Sequence, residues 1–149
     1  MNLSESNKDY ARFLPAISSI YTKFLSHNSA YNNKVTDERI PDCFPHGLES
    51  MNFLNEDKGL FSYKWALYSA GHAMLDPEKS DKSEAQVQKR DRSKVTLVGD
   101  SGGFQVAKGV LKFPWDQFKD SGGKCDAVRI KILKWLEHTA DWSMILDVP

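Results

Sequence analysis

The segment Val98-Gly99-Asp100-Ser101-Gly102-Gly103-Phe104-Gln105 constrains this chain more than any other. An apolar β-type run (Val95, Leu97, Val98) ends in a carboxylate, a hydroxyl and two glycines, and an amphipathic run follows. The pattern predicts a strand that delivers Asp100 to a glycine turn, then a helix from about Phe104 to Lys112. Glycines let a backbone approach a ligand closely, and N–H groups at a helix start hold anions or polar ring atoms. The run Trp142-Ser143-Met144-Ile145-Leu146-Asp147-Val148-Pro149 repeats the theme, a predicted strand over 142–147 that ends in an acid.

Between these strands, Val128, Ile132, Leu133, Trp135 and Leu136 give one apolar face to a helix from Asp126 to His138, with Asp126 as its cap. A strand at 94–99, two helices and a second strand imply parallel strands joined by a crossover, which is α/β architecture. Upstream, Tyr10, Phe13, Leu14, Ile17, Ile20, Tyr21, Phe24 and Leu25 keep helical spacing across 7–27. Ser4 or Ser6 would cap that helix, and Pro15 would kink it or mark its true start. Residues 28–50 are polar and loop-like, with an ordered turn at Phe44 to Glu49. A strand is expected at Trp65 to Ser69. Residues 76–94 are almost wholly polar and predict a solvated loop or an exposed helix, with Lys89, Arg90, Arg92 and Lys94 as a surface cluster. His46 and His72 lie near aromatic turns and read as structural histidines.

The 149 residues suit a single domain. Twenty acids balance twenty bases, so the electrostatic footprint of a free-standing nucleic-acid binder is missing overall, though a local patch remains open. Cys43 and Cys125 form no CxxC pair, which suggests a reducing compartment. The polar N-terminus carries no secretory signal, and no apolar run approaches the ~18 residues that span a bilayer. A cytoplasmic protein with no membrane partner is the expectation.

Gly-Asp-Ser-Gly-Gly also surrounds the nucleophilic serine of chymotrypsin-like proteases, and Ser69-Ala70-Gly71-His72 faintly echoes their histidine segment. That fold needs two all-β barrels, His72 lies only 29 positions before Ser101, and the residues after the turn read as helical. The protease reading is therefore rejected.

Asp100-Ser101-Gly102-Gly103-Phe104-Gln105 on a strand end resembles the signature of the tRNA-guanine transglycosylase superfamily. The segment from Arg129, Ile130 and Leu133 to Ala140-Asp141-Trp142-Ser143-Met144-Ile145-Leu146-Asp147 resembles that family's next strand, which ends in a base-binding aspartate. The two acids stand about 45 residues apart in the last third of the chain. Phe44-Pro45-His46-Gly47-Leu48-Glu49-Ser50-Met51-Asn52-Phe53-Leu54, with Trp65 to His72, is more similar to the phage and bacterial DNA branch. Members of that branch exchange guanine in DNA for a 7-deazaguanine of the preQ0 type, a modification suited to protecting phage or mobile DNA from restriction.

The resemblance implies the N-terminal part of a TIM (β/α)8 barrel with its site at the C-terminal strand ends. Residues 1–43 would form a helical and loop extension and 44–149 the barrel strands and helices, all in one domain. Asp100 would be the acid/base beside the glycosidic bond. Asp147 would hydrogen-bond the purine-like base edge. Gln105 would touch the base, Phe104 would wall its pocket, and Ser101, Gly102 and Gly103 would bring backbone close to the base or its ribose. A carboxylate can accept two N–H donors from a guanine-type edge, and a base inside a duplex must be flipped to be reached.

The family's nucleophilic aspartate and its Cys-x-Cys-x-x-Cys-and-His zinc cluster have no counterpart in these residues. The expectation is therefore an incomplete portion, inactive alone, with no cofactor of its own and structural zinc only in a missing C-terminal part. A complementary half or a homodimer would be its partner. Two alternatives stand beside DNA base exchange: a tRNA acceptor in the queuosine pathway, and a non-catalytic α/β domain that binds a nucleotide or a partner.

Overall fold

The computed structural model describes residues 11–26, 35–117, 119 and 122–146. Their β-branched and aromatic runs form three parallel strands, β1 (Trp65–Ser69), β2 (Thr96–Asp100) and β3 (Trp142–Ser143), in the order β1-β2-β3. The register pairs Trp65 with Thr96 through to Ser69 with Asp100, and Val98 with Trp142. The expected α/β class and parallel crossover are present. β3 is shorter than the predicted 142–147. Among the described residues it lies at the sheet edge, and the Asp141 N–H bond to the Leu97 carbonyl and the Met144 N–H bond to the Gly99 carbonyl (both 2.9 Å) extend its contact with β2 on either side.

The long helix expected over 7–27 is not formed within the described residues. Ala16 instead bridges Leu67 in parallel at the free edge of β1. Ile17 N–H donates to the Leu67 carbonyl (2.8 Å), and Leu67 N–H donates to the Pro15 carbonyl (3.0 Å). Pro15 has no N–H to give, so an edge position that uses only its carbonyl suits it. The helix, α1 (Ser19–Leu25), starts after Ser18, whose hydroxyl accepts from Tyr21 N–H. Ser4 and Ser6 lie outside the described residues.

The polar stretch 76–94 is the largest departure from expectation. Asp76 caps and Pro77 opens α2 (Pro77–Ser83), and α3 (Ala85–Gln88) follows. Their inner faces are buried, including Ser80, Glu84, Gln86 and Arg90. Glu84 Oε1 accepts from the Tyr68 hydroxyl (2.7 Å) and from Met74 N–H (3.2 Å). Burial, then the neighbouring Glu84 charge, pushes the Tyr68 hydroxyl far above its ordinary range, so it remains a donor. Trp135 packs 5.6 Å from the Tyr68 ring and donates from Nε1 to Ser80 Oγ (3.0 Å). A polar composition here means a buried polar layer, not a solvated face, and it is only partly paired: among the described residues Glu84 Oε2, both Gln86 amide atoms and Arg90 Nε have no hydrogen-bond partner.

The basic cluster is likewise partly internal. The Arg90 side chain is buried and its Nη2 lies 2.7 Å from Asp141 Oδ2. Burial pulls the guanidinium pKa down and Asp141 opposes that. Arg92 bonds the His138 carbonyl, and Lys94 lies 3.4 Å from Glu56.

α4 (Gly103–Ala107) is shorter than the expected 104–112, because Gly109 turns left-handed (φ +70°) just beyond it. α5 (Lys124–Thr139) buries Ile132, Trp135 and Leu136 as expected, but Leu133 faces outward. Asp126 lies in its first turn rather than at the cap, accepting from Gly122 N–H (2.6 Å) and pairing with Arg129.

Burial alternates along β2 and along β1 as far as Tyr68, and Ser69 at the end of β1 is also buried. Ala66, Tyr68 and Leu97 face the helices and join Val87, Ile132, Trp135 and Leu136 in the core. Trp65, Leu67, Thr96, Val98 and Asp100 face the other way and are only half-buried. Asp141→Ala should cost about 3–5 kcal/mol in urea unfolding, since it leaves the buried Arg90 guanidinium without its carboxylate. Asp126 and Asp91 are held below the ordinary carboxylate range, Asp126 by the Gly122 N–H and Arg129, Asp91 by the Ser93 hydroxyl and N–H. A depressed folded pKa adds stability above the unfolded value, so urea midpoints should be level above pH about 5 and fall below pH about 4.

Candidate functional site

Asp100 is the last residue of β2, so the strand carries its carboxylate to the C-terminal edge of the sheet on the face the helices leave open. Asp100 Oδ2 accepts from Gly102 N–H (3.3 Å), which closes the turn beneath it. Gly102 adopts φ +81°, where a side chain is strained. A Cβ there would also stand 2.5 Å from Gly71 N and 2.8 Å from Gly71 Cα. The turn after β2 thus packs backbone to backbone on the turn after β1. A Cβ on Gly71 would in turn meet the Gln105 side chain at 2.5 Å.

A cavity of about 440 Å³ opens beside this turn. Asp100 and Ser101 form its polar wall, Phe104 and Ala107 one apolar wall, and Met144 and Ile145 the other. Phe104 is 68% exposed, and Lys108 Nζ lies 5.7 Å from its ring centre on one side. Ile145 is 89% exposed. An acceptor at one end and apolar surfaces on two sides suit a flat ring that offers N–H donors.

The expected site residues divide into two groups. Asp100, Ser101, Gly103 and Phe104 line one cavity, with Gly102 as the hinge below it. Gln105 is nearly buried and spends its amide on protein partners: Ser69 Oγ donates to its Oε1 (3.3 Å), and its Nε2 lies 2.9 Å from His72 Nε2. Asp147 lies outside the described residues. The five-residue α4 is too short for its N-terminus to serve as the anion site the glycines suggested.

His72 was readable only as a structural histidine, and Ser69 only as the end of a strand. The signal that connects them is the second strand-then-glycine run, Ser69-Ala70-Gly71-His72, which mirrors Asp100-Ser101-Gly102-Gly103 in register. Among the described residues no cluster of metal-ligating side chains exists, and no helix is long and apolar enough to cross a membrane. The Lys89–Lys94 region offers no free basic stripe, because Arg90 is buried and Lys94 is ion-paired.

Comparison with known proteins finds no matching family model, no similar curated protein and no similar solved structure. Gly102→Ala should lower stability by about 1–3 kcal/mol, through left-handed strain and the clash with Gly71. Thermal unfolding of the variant against wild type measures it, and the cost should exceed that of Gly109→Ala, where a Cβ meets nothing within 4 Å.

Proposed function

We propose that this chain is the base-binding portion of a transglycosylase that exchanges guanine in DNA for a 7-deazaguanine. The observation that carries the reading is Asp100 on a strand's C-terminal end, facing a cavity whose other walls are Phe104, Met144 and Ile145. Asp100 acts as acid and base at the glycosidic bond, moving a proton to the departing base and from the incoming one. Phe104 stacks against the base, and Ser101 and Gly103 set backbone beside it. The resemblance assigns the second carboxylate at the base edge to Asp147. The nucleophilic aspartate and the zinc cluster of such enzymes come from another segment or another chain.

Two features support the barrel that goes with this reading. The strands are parallel with β2 central, and α5 packs on the face of β2 that carries Leu97 and Gly99. The opposite face is half-exposed, whereas a doubly wound sheet has helices on both faces. A barrel wall has helices outside and strand side chains inside, with Leu67, Val98 and Asp100 pointing inward. The acceptor is DNA. A tRNA acceptor would use the same base contacts and differs only in what surrounds the flipped nucleotide.

The chain itself tests this. Free 7-cyano-7-deazaguanine titrated into it should bind and saturate in isothermal titration calorimetry. Asp100→Asn and Phe104→Ala should each weaken binding by about tenfold, the scale of a charged hydrogen bond and of one base stack, with far-UV circular dichroism unchanged. Equal affinity in wild type and both variants would sink the assignment.

A further inference from the structure

We propose that His72 belongs to the same site, held by Gln105 so that its Nδ1–H is offered to a phosphate oxygen of the nucleotide that carries the base. This rests on the nucleotide reading above. Ser69 and Asp100 are register partners at the C-terminal ends of β1 and β2, with Ser69 buried and Asp100 half-buried. The turns that follow these residues touch through Gly71 and Gly102, so His72 stands one residue from the backbone that cradles Asp100's turn.

The hydrogen-bond chain fixes the imidazole. Gly71 N–H donates to Ser69 Oγ (3.2 Å), which leaves the Ser69 hydroxyl hydrogen to go to Gln105 Oε1 (3.3 Å). With its oxygen so engaged, the Gln105 amide turns its N–H₂ toward His72 Nε2, 2.9 Å away. With the amide in that orientation Nε2 accepts, and the ring proton of neutral His72 sits on Nδ1. Gln105 is nearly buried and wedged against Gly71, whereas His72 is exposed. A buried amide thus orients an exposed ring, and the ring's outer edge carries a donor. Asp100 supplies an acceptor and His72 a donor on adjacent strand ends. A nucleotide has matching groups, N–H donors on a guanine-type base and oxygen acceptors on its phosphates.

Two measurements on the chain decide the matter. In long-range ¹H–¹⁵N spectra, His72 should show the Nδ1–H tautomer, and Gln105→Leu should return it to the mixture of a free imidazole. The probes for binding are 2′-deoxyguanosine and its 3′,5′-bisphosphate. Wild type should bind the bisphosphate about tenfold more tightly, the scale of one charge-assisted hydrogen bond. His72→Phe should erase that ratio without weakening the nucleoside, and His72→Gln should restore part of it. An Nε2–H tautomer in wild type, or one indifferent to Gln105→Leu, overturns the proposal. So does an Nδ1–H tautomer combined with an unchanged ratio in His72→Phe, which would make the relay purely structural. If neither probe binds while the tautomer is as expected, the base-exchange reading falls, and the phosphate falls with it as the ligand of His72.

Discussion

The position of β3 depends on one carboxylate. Asp141 Oδ2 accepts from Arg90 Nη2 (2.7 Å) and from Leu97 N–H (2.8 Å), while Asp141 N–H donates to the Leu97 carbonyl (2.9 Å). Three contacts on one residue tie the end of α3, the start of β2 and the entry to β3. The buried guanidinium also donates to the Val87 carbonyl (2.8 Å). A buried charge must be paired to be tolerated, and here its partner is also a backbone clamp. β3 contributes only two residues to the ladder, so its place beside β2 relies on this clamp. Met144 and Ile145, which wall the Asp100 cavity, follow directly from it.

The sequence revealed the strands of this fold better than its helices. Trp65 to Ser69 was legible because an apolar, aromatic run stood between polar segments, and β2 because β-branched residues ran into Asp and Gly. The first helix was not legible, because the residues around Pro15 and Ile17 carry helical spacing yet are used as a sheet edge. Residues 76–94 misled for a different reason. Hydropathy cannot distinguish a solvated acid from Glu84, which is buried against a tyrosine hydroxyl and a backbone N–H. Tertiary pairing decides that difference, and no local pattern encodes it.

The site was legible in part. The acid-and-glycine turn was visible because a strand end, a hydroxyl and two glycines coincide, and Phe104 follows as an exposed ring. The inward turn of Gln105 was not visible, since it depends on Ser69 and His72, which are more than thirty residues away in sequence. The cavity's third wall, Met144 and Ile145, was legible only as strand, and its exposure follows from the edge position of β3.

The contact between Gly71 and Gly102 reaches beyond this molecule. Each glycine is small because of the other segment, not only because of its own turn. Gly102 faces the backbone at Gly71, and Gly71 faces the side chain of Gln105. Three positions from two separate turns therefore share one small volume. In descendants of this chain, a change at any of the three shifts which residues the other two can accept. Covariation among positions 71, 102 and 105 would then be the evolutionary trace of a steric contact, independent of any role of Asp100.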